Sequence, residues 1–300
     1  MNKNRLLAIA AMIFITAIWG VTFEMVQGAL SDAPPFIFAT LRFGIAFILG
    51  LLYLNKSAFK INHDELKGGF LCGIILCMGY AFQNFGLWED SLVYTGASSS
   101  TSAFITSVSV ILVPIFLYLS GLQQISNKIW IIVAITMVGL FILLNPFNDN
   151  IVGGDIITFG CAISFAIHVI LQDIYLKKQV SVLKIFMIQV LFVSLFSFIC
   201  SLFFEGLEVM STSILTNEVI IALFITGVLA TFIGLILMLW AQKILSATET
   251  AILLSLEPLF AALFSVFFAG DQLGVSGWIG GFIIIAAVMS SGSISSADKK

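Results

Sequence analysis

Charge is what this chain has least of. Of its 300 residues only 10% are Asp, Glu, Lys or Arg, against about 25% in an average soluble domain. Thirteen basic and sixteen acidic residues are too few to clothe a water-facing surface. That excludes a soluble enzyme, a nucleic-acid binder and a disordered scaffold. The net charge of −3 says nothing about partners, because in a membrane protein the distribution of charge across the bilayer matters more than its sum. Histidine is almost absent: His63 and His168 are the only two. With no H-E-x-x-H run and no facing pair of aspartates, neither a metal site nor a catalytic residue is expected. Cysteine is scarce too. Cys72, Cys77, Cys161 and Cys200 all sit in apolar stretches, and the five-residue spacing of the first two is not a zinc spacing. They read as small packing residues. No GxxxxGK[ST] loop occurs, so no nucleotide drives the chain and no cofactor is expected. Only five prolines are present, and the alternating polarity of an outer-membrane barrel is missing.

What fills the chain instead is apolar. Hydrophobic residues make up 60%, and a helix needs about 20 of them to cross some 30 Å of hydrocarbon. The pattern predicts ten spans, near 6–28, 35–54, 68–88, 96–119, 128–145, 154–172, 182–204, 219–240, 248–269 and 275–292. The first run continues to Gly28, longer than the apolar core of a signal peptide, so it reads as a span that is retained. The connections are short and leave no room for a second, soluble domain.

Basic residues then set the orientation. Twelve of the thirteen fall on one face of the ten-span arrangement: Lys3, Arg5, Lys56, Lys60, Lys67, Lys128, Lys177, Lys178, Lys184, Lys243, Lys299 and Lys300. The thirteenth, Arg42, lies inside a span. The opposite loops carry Asp32, Glu89, Asp90, Asp149, Asp155, Glu205, Glu208, Glu218 and Asp271. Such asymmetry places both termini in the cytoplasm and the chain in the cell membrane as a multi-pass protein.

An internal repeat accompanies the topology. Ala17-Ile18-Trp19-Gly20 lines up with Ala162-Ile163-Ser164-Phe165, Arg42 with Gln189, and Trp130 with Trp278, at offsets of 145, 147 and 148 residues. Each half holds five spans, an odd number, so the halves must be inverted. The expected fold is all-α and integral to the membrane: ten transmembrane helices as two inverted five-helix repeats, 6–145 and 153–292. That is the architecture of secondary transporters, with a substrate site between the halves near the midplane.

Specific residues point the same way. Trp19–Phe23 (WGVTF) is followed by Pro35 and Arg42. In the second half come Ser255-Leu256-Glu257-Pro258-Leu259-Phe260-Ala261-Ala262, a Gly270-Asp271 break and a Gly280-Gly281 closing helix. Together these resemble the EamA branch of the drug/metabolite transporter superfamily over about residues 6–292. The resemblance implies a ten-helix bundle with alternating access and, commonly, export of amino acids or other small metabolites. Glu24 stands where such chains usually carry an apolar residue, and Asp271 where they usually carry Glu.

Ionisable groups inside a bilayer cost several kcal/mol unless paired or solvated, which makes them functional candidates. Glu24 and Arg42 lie at one depth, about 10 Å from the outer face, on consecutive spans. They are expected to pair, either as a gate or as a packing contact. Glu257 precedes Pro258 near the middle of the ninth span, where proline weakens the preceding turn. It is a carboxylate either for solute or for a satisfied kink. His168 and Gln172 share a stripe of the sixth span by i, i+4 spacing and should face a cavity. Gln83 and Gln189 are mid-span amides suited to polar or zwitterionic solutes. Trp19 either stacks on solute or fills the bundle. The substrate-pathway set is therefore Trp19, Glu24, Arg42, Gln83, His168, Gln172, Gln189 and Glu257. The hydroxyl-rich run Thr95–Ser102 reads as close helix packing, and Trp88 and Trp240 as interfacial anchors.

The function expected is a secondary transporter of small metabolites, an exporter driven by an ion gradient. An intramembrane enzyme, and an uptake or exchange permease for another metabolite class, are the competing readings. Expected partners are a small-molecule substrate and the lipid bilayer, with no nucleic acid. A homodimer is allowed, but nothing in the sequence supports one.

Overall fold

The computed structural model describes residues 3–53, 60–89, 91–144, 151–178, 180–207, 214–269 and 272–291. Among them the regular structure is helical throughout, in ten successive stretches. These are α1 Lys3–Ala29, α2 Pro35–Tyr53, α3 His63–Leu87, α4 Ser99–Leu119, α5 Asn127–Leu144, α6 Gly153–Leu176, α7 Val182–Phe204, α8 Asn217–Gln242, α9 Ala247–Phe267 and α10 Val275–Ser291. The first nine are long and apolar enough to cross a membrane, and α10 is a shorter apolar helix. Lys56, Asp90, Asp149, Glu208, Gly270, Asp271, Lys299 and Lys300 lie outside the described residues.

Where helices differ in length from the hydrophobic pattern, polar residues explain the difference. Helix α3 begins at His63 rather than near residue 68 because Asn62 and Glu65 form a capping box. The Asn62 side chain accepts from the Glu65 N–H at 2.8 Å, and Glu65 accepts from the Asn62 N–H at 2.9 Å. Helix α6 runs past Gln172 to Leu176, where Asp173 and Lys177 pair one turn apart at 2.5 Å. Hydropathy detects the hydrocarbon-embedded part of a helix and misses such polar ends.

Close approach of the helices rests on small residues, as expected where lipid and side chains are equally apolar. At the α5–α10 crossing, a Cβ on Gly139 would lie 3.0 Å from the Gly280 carbonyl oxygen, and one on Gly280 2.6 Å from that of Gly139. Helix α3 packs between α6 and α7 through Gly68, which lies against the Tyr175 ring, and Gly69, against Ile188.

The two ends of the bundle are chemically distinct. At one end Arg5 on α1 pairs with Glu249 on α9, Lys178 with Asp64 at 2.9 Å, and Lys184 with Glu65 at 2.9 Å. At the other, the Glu205 carboxylate accepts from the N–H groups of Phe36 and Ile37 at 2.6 and 2.9 Å, capping α2. There Asp32 also accepts from the Thr216 hydroxyl at 2.7 Å, and Glu89 from the Gln27 amide at 2.7 Å. We call these the basic and acidic ends.

Candidate functional site

Three interruptions of regular helix surround one internal cavity. Helix α9 breaks because Pro258 has no N–H to continue the ladder. Ser255 and Leu256 instead donate three residues back, to Ile252 at 3.3 Å and Leu253 at 3.1 Å, and a new helix starts at Glu257. Proline in the first turn of that new helix forfeits nothing. Helix α4 breaks at Val108, between Ser107 and Ser109. Helix α8 widens to a π-helix over Ile225–Ile233, a form concentrated at functional sites. The cavity leaves about 70 Å³ open to the centres of water molecules. One water needs about 10–15 Å³ on that measure, so the space suits a few waters or one small solute.

Arg42 is the cavity's fixed positive charge. It is 2% exposed. Its Nε donates to the Thr231 hydroxyl at 2.9 Å and its Nη2 to the Tyr80 hydroxyl at 3.1 Å. The guanidinium carbon stands 4.5 Å from the centre of the Tyr80 ring, close enough for cation–π attraction. Gly227, in the π-helical part of α8, lets α8 approach α2: a Cβ there would lie 3.2 Å from the Arg42 carbonyl oxygen. Since a guanidinium has five N–H donors, these two bonds leave Nη1 without a protein partner among the described residues.

Glu257 is the cavity's acidic group. It forms no ion pair within 4 Å among the described residues, and its electrostatic partner is Arg42 across the cavity. An acid and a base share one small space without contact. Trp19 and Gly20 frame this arrangement from α1. Trp19 lines the cavity and donates from Nε1 to the Ala230 carbonyl at 2.8 Å, within the π-helical segment. Gly20 lies against the helix break: a Cβ there would stand 2.6 Å from the Glu257 carbonyl oxygen.

His168 and Gln83 also line the cavity. Gln172 and Gln189 do not. They are 0% exposed and lie behind the wall, Gln189 in hydrogen-bond contact with His168 at 3.1 Å. Both amide atoms of Gln172 and the Nε2 of Gln189 are buried without a partner among the described residues.

The expected Glu24–Arg42 pair does not form. Equal depth on consecutive helices is not enough, because α1 presents the two residues' surroundings on different faces. Thr22, Phe23 and Val26 turn toward the central cavity, while Val21, Glu24 and Gly28 line a separate, open cleft toward the acidic end. That cleft measures about 870 Å³ and also holds Glu218. Glu24 is exposed within it. Phe23, 4% exposed, lines both spaces and forms part of the wall between them.

Two partners of Arg42 escape a search for ionisable residues. Tyr80 could have been found, since it precedes Gln83 by three residues and so shares its helix face. Thr231 gives no signal, because its place opposite Arg42 depends on the π-helical turn. The serines flanking the α4 break, Ser107 and Ser109, line the cavity, just beyond the hydroxyl-rich run read as packing.

Comparison with known proteins places this geometry. The model of the EamA-like transporter family matches twice, over residues 6–145 and 152–292. An uncharacterised transporter from Archaeoglobus fulgidus is 33% identical over 286 residues, which is 95% of this chain and 86% of that one. The uncharacterised transporter YoaV of Bacillus subtilis is 21% identical over 92% of this chain and 94% of its own. A protein of known crystal structure superposes over 99% of both chains with a TM-score of 0.75 at 14% identity, a likeness of fold.

Proposed function

The chain belongs to the EamA-like transporter family and is a multi-pass membrane transporter, and from that premise we propose that it carries small zwitterionic or similarly polar metabolites, such as amino acids. The observation behind the substrate class is the cavity itself. It holds one buried guanidinium with a free amino group and one carboxyl with no ion-pair partner among the described residues, in space for a single small solute. A zwitterion would bring its carboxylate to Arg42, with charge-assisted hydrogen bonds of the strong kind, and its ammonium to Glu257. Gln83 and His168 would serve its remaining polar atoms. A buried guanidinium without a counter-ion in contact is costly, and a solute that bridges it to the Glu257 carboxyl relieves the cost. That gives solute binding a differential effect on the closed state, as alternating access requires.

In this reading the halves 6–145 and 153–292 are inverted repeats that rock against each other. The separate family match to each half and the mutual Gly139–Gly280 crossing support it. The basic end faces the cytoplasm with both termini, in keeping with the twelve-to-none division of basic loop residues. Export is the direction that the family resemblance implies, and with no GxxxxGK[ST] loop in the chain its energy source would be an ion gradient. Glu24 belongs to the outer approach rather than to the binding cavity.

Counterflow in proteoliposomes with a panel of radiolabelled amino acids tests the proposal. At least one zwitterion should accumulate transiently against unlabelled internal solute, and Glu257→Gln should abolish it. A panel in which only anions or only cations exchange would sink the zwitterion reading.

A further inference from the structure

We infer that Gln189 is a positioning residue of the central cavity: it holds His168 in the tautomer protonated at Nε2, so that the ring offers its bare Nδ1 to solute as a hydrogen-bond acceptor. The inference deepens the transporter reading given above and rests on it for the word solute; the tautomer itself rests on geometry alone.

His168 Nε2 and Gln189 Oε1 are 3.1 Å apart, and both residues are buried, at 2% and 0% exposure. An amide oxygen can only accept, so the proton in this bond belongs to the imidazole, and in the neutral ring the second nitrogen then carries a lone pair. Nδ1 has no hydrogen-bond partner among the described residues, and the ring belongs to the cavity wall. Gln189 itself does not reach the cavity. Its position is fixed by the approach of α3 to α7: a Cβ on Gly73 would stand 3.1 Å from the Gln189 Cα and 3.0 Å from the Phe192 Cβ. An amide placed only to satisfy itself would have both ends bonded. Gln189 leaves its Nε2 donor buried without a partner among the described residues, at a cost of about 1–3 kcal/mol, and still keeps the bond to His168.

The groups that share the cavity with the ring define what the bare nitrogen adds. Arg42 on α2 and Tyr80 on α3 are donors; Arg42 spends Nε on Thr231 and Nη2 on Tyr80 and keeps Nη1 for the solute carboxylate. Glu257 on α9 brings a carboxyl. On α6 itself the nearest charge is Asp173, held by Lys177. His168 Nδ1 adds an acceptor to a wall that also carries the Glu257 carboxyl and the Gln83 amide, and so serves a donor-bearing group such as a primary ammonium rather than an anion.

Nitrogen-15 NMR on protein labelled at histidine reads the tautomer directly, and the chain is suited to it. His63→Gln leaves His168 as the sole histidine. In that background, in detergent and without any transport, Nδ1 should resonate as a bare nitrogen and Nε2 as a protonated one. Gln189→Leu should turn this into a mixture of tautomers, while Gln189→Glu, which keeps an acceptor oxygen, should preserve the original form. Gln189→Glu also guards against the case in which Gln189→Leu does not fold, which size-exclusion chromatography would show. Adding methylammonium should move the Nδ1 resonance, and adding acetate should not. A proton on Nδ1 in the His63→Gln protein, an unchanged ring in folded Gln189→Leu, or a response to acetate alone would overturn the inference. The measurement is independent of counterflow, so a chain that exchanges no zwitterion leaves the tautomer result standing, and a wrong tautomer leaves the transport proposal standing.

Discussion

Gly20 and Glu257, 237 positions apart, meet so closely that a single methyl group on Gly20 would stand 2.6 Å from the Glu257 carbonyl oxygen and 2.8 Å from the Ala261 nitrogen. Both obstacles are backbone and cannot rotate away. The tryptophan–glycine pair of α1 and the glutamate–proline pair of α9 are therefore two halves of one joint. Trp19 is pinned to the π-helical turn of α8, Gly20 is seated on the α9 break, and the Glu257 side chain is held at the cavity.

Gly20→Val is expected to destabilise the protein by about 1–3 kcal/mol, the usual cost of overpacking, or to prevent folding. Gly28, on the same helix, has open space around it: a Cβ there would meet nothing within 4 Å. Gly28→Ala should be neutral or stabilise by about 0.5–1 kcal/mol through helix propensity. Thermal unfolding of the two variants in one detergent compares them, and equal melting temperatures would contradict the tight joint.

Tyr80→Phe and Thr231→Val each remove one partner of a buried guanidinium. Each should cost about 1–3 kcal/mol, and the double variant should fall short of the sum because both act through Arg42. Arg42→Lys should not substitute, since an ammonium lacks the planar fork that reaches both hydroxyls. Denaturation of the single and double variants gives the cycle, and strict additivity would show that the two bonds are independent.

Glu205 predicts a pH dependence outside the hydrocarbon. Burial pushes its carboxyl above the ordinary value, more than the Phe36 N–H, the Ser201 hydroxyl and the Ile37 N–H pull it down. A group whose folded pKa is raised contributes stability that is full below its unfolded value, about 4.3, and is lost as pH rises through the folded value. Relative to Glu205→Gln, the wild-type melting temperature should therefore decline from about pH 4.3 upward and level off above the raised value. A constant difference across pH would show that the cap does not titrate in that window.

Cysteine labelling separates the two spaces around α1. The four native thiols are buried, so background reaction should be low. A membrane-impermeant thiol reagent should modify Glu24→Cys fastest and Gln83→Cys more slowly, from behind Phe23. Gln172→Cys and the outward-facing Phe282→Cys should not react. Phe23→Ala should speed labelling at position 83 and leave position 24 unchanged. Fast labelling at Gln172→Cys would place that residue in the open path after all.

A reporter fused after Lys300 should be active only in the cytoplasm, and one inserted at Ser91 only outside. An external signal after Lys300 would reverse the orientation read from the basic residues.

The sequence alone determined the number and order of the helices. Length and apolarity are properties of contiguous residues, and a bilayer imposes one thickness on every span. It also sorted the ends of the helices, because charge is excluded from the hydrocarbon wherever the chain runs: Arg5, Lys178 and Lys184 do lie together at one end, opposite Asp32, Glu89 and Glu205. Mid-span polarity identified Arg42, Gln83, His168 and Glu257, and these residues, with Trp19, do meet on one cavity. Which groups bond to which was decided only by tertiary structure. Depth along a helix follows from counting residues, but the direction of a side chain around the axis depends on what packs there. Glu24 and Arg42 share a depth and still face different spaces. Arg42 finds Thr231 because nine residues of α8 wind as a π-helix, and Gln189 reaches His168 because Gly73 lets α3 and α7 close. The first contact joins segments 189 positions apart and the second two successive helices, and no local pattern of polarity records either.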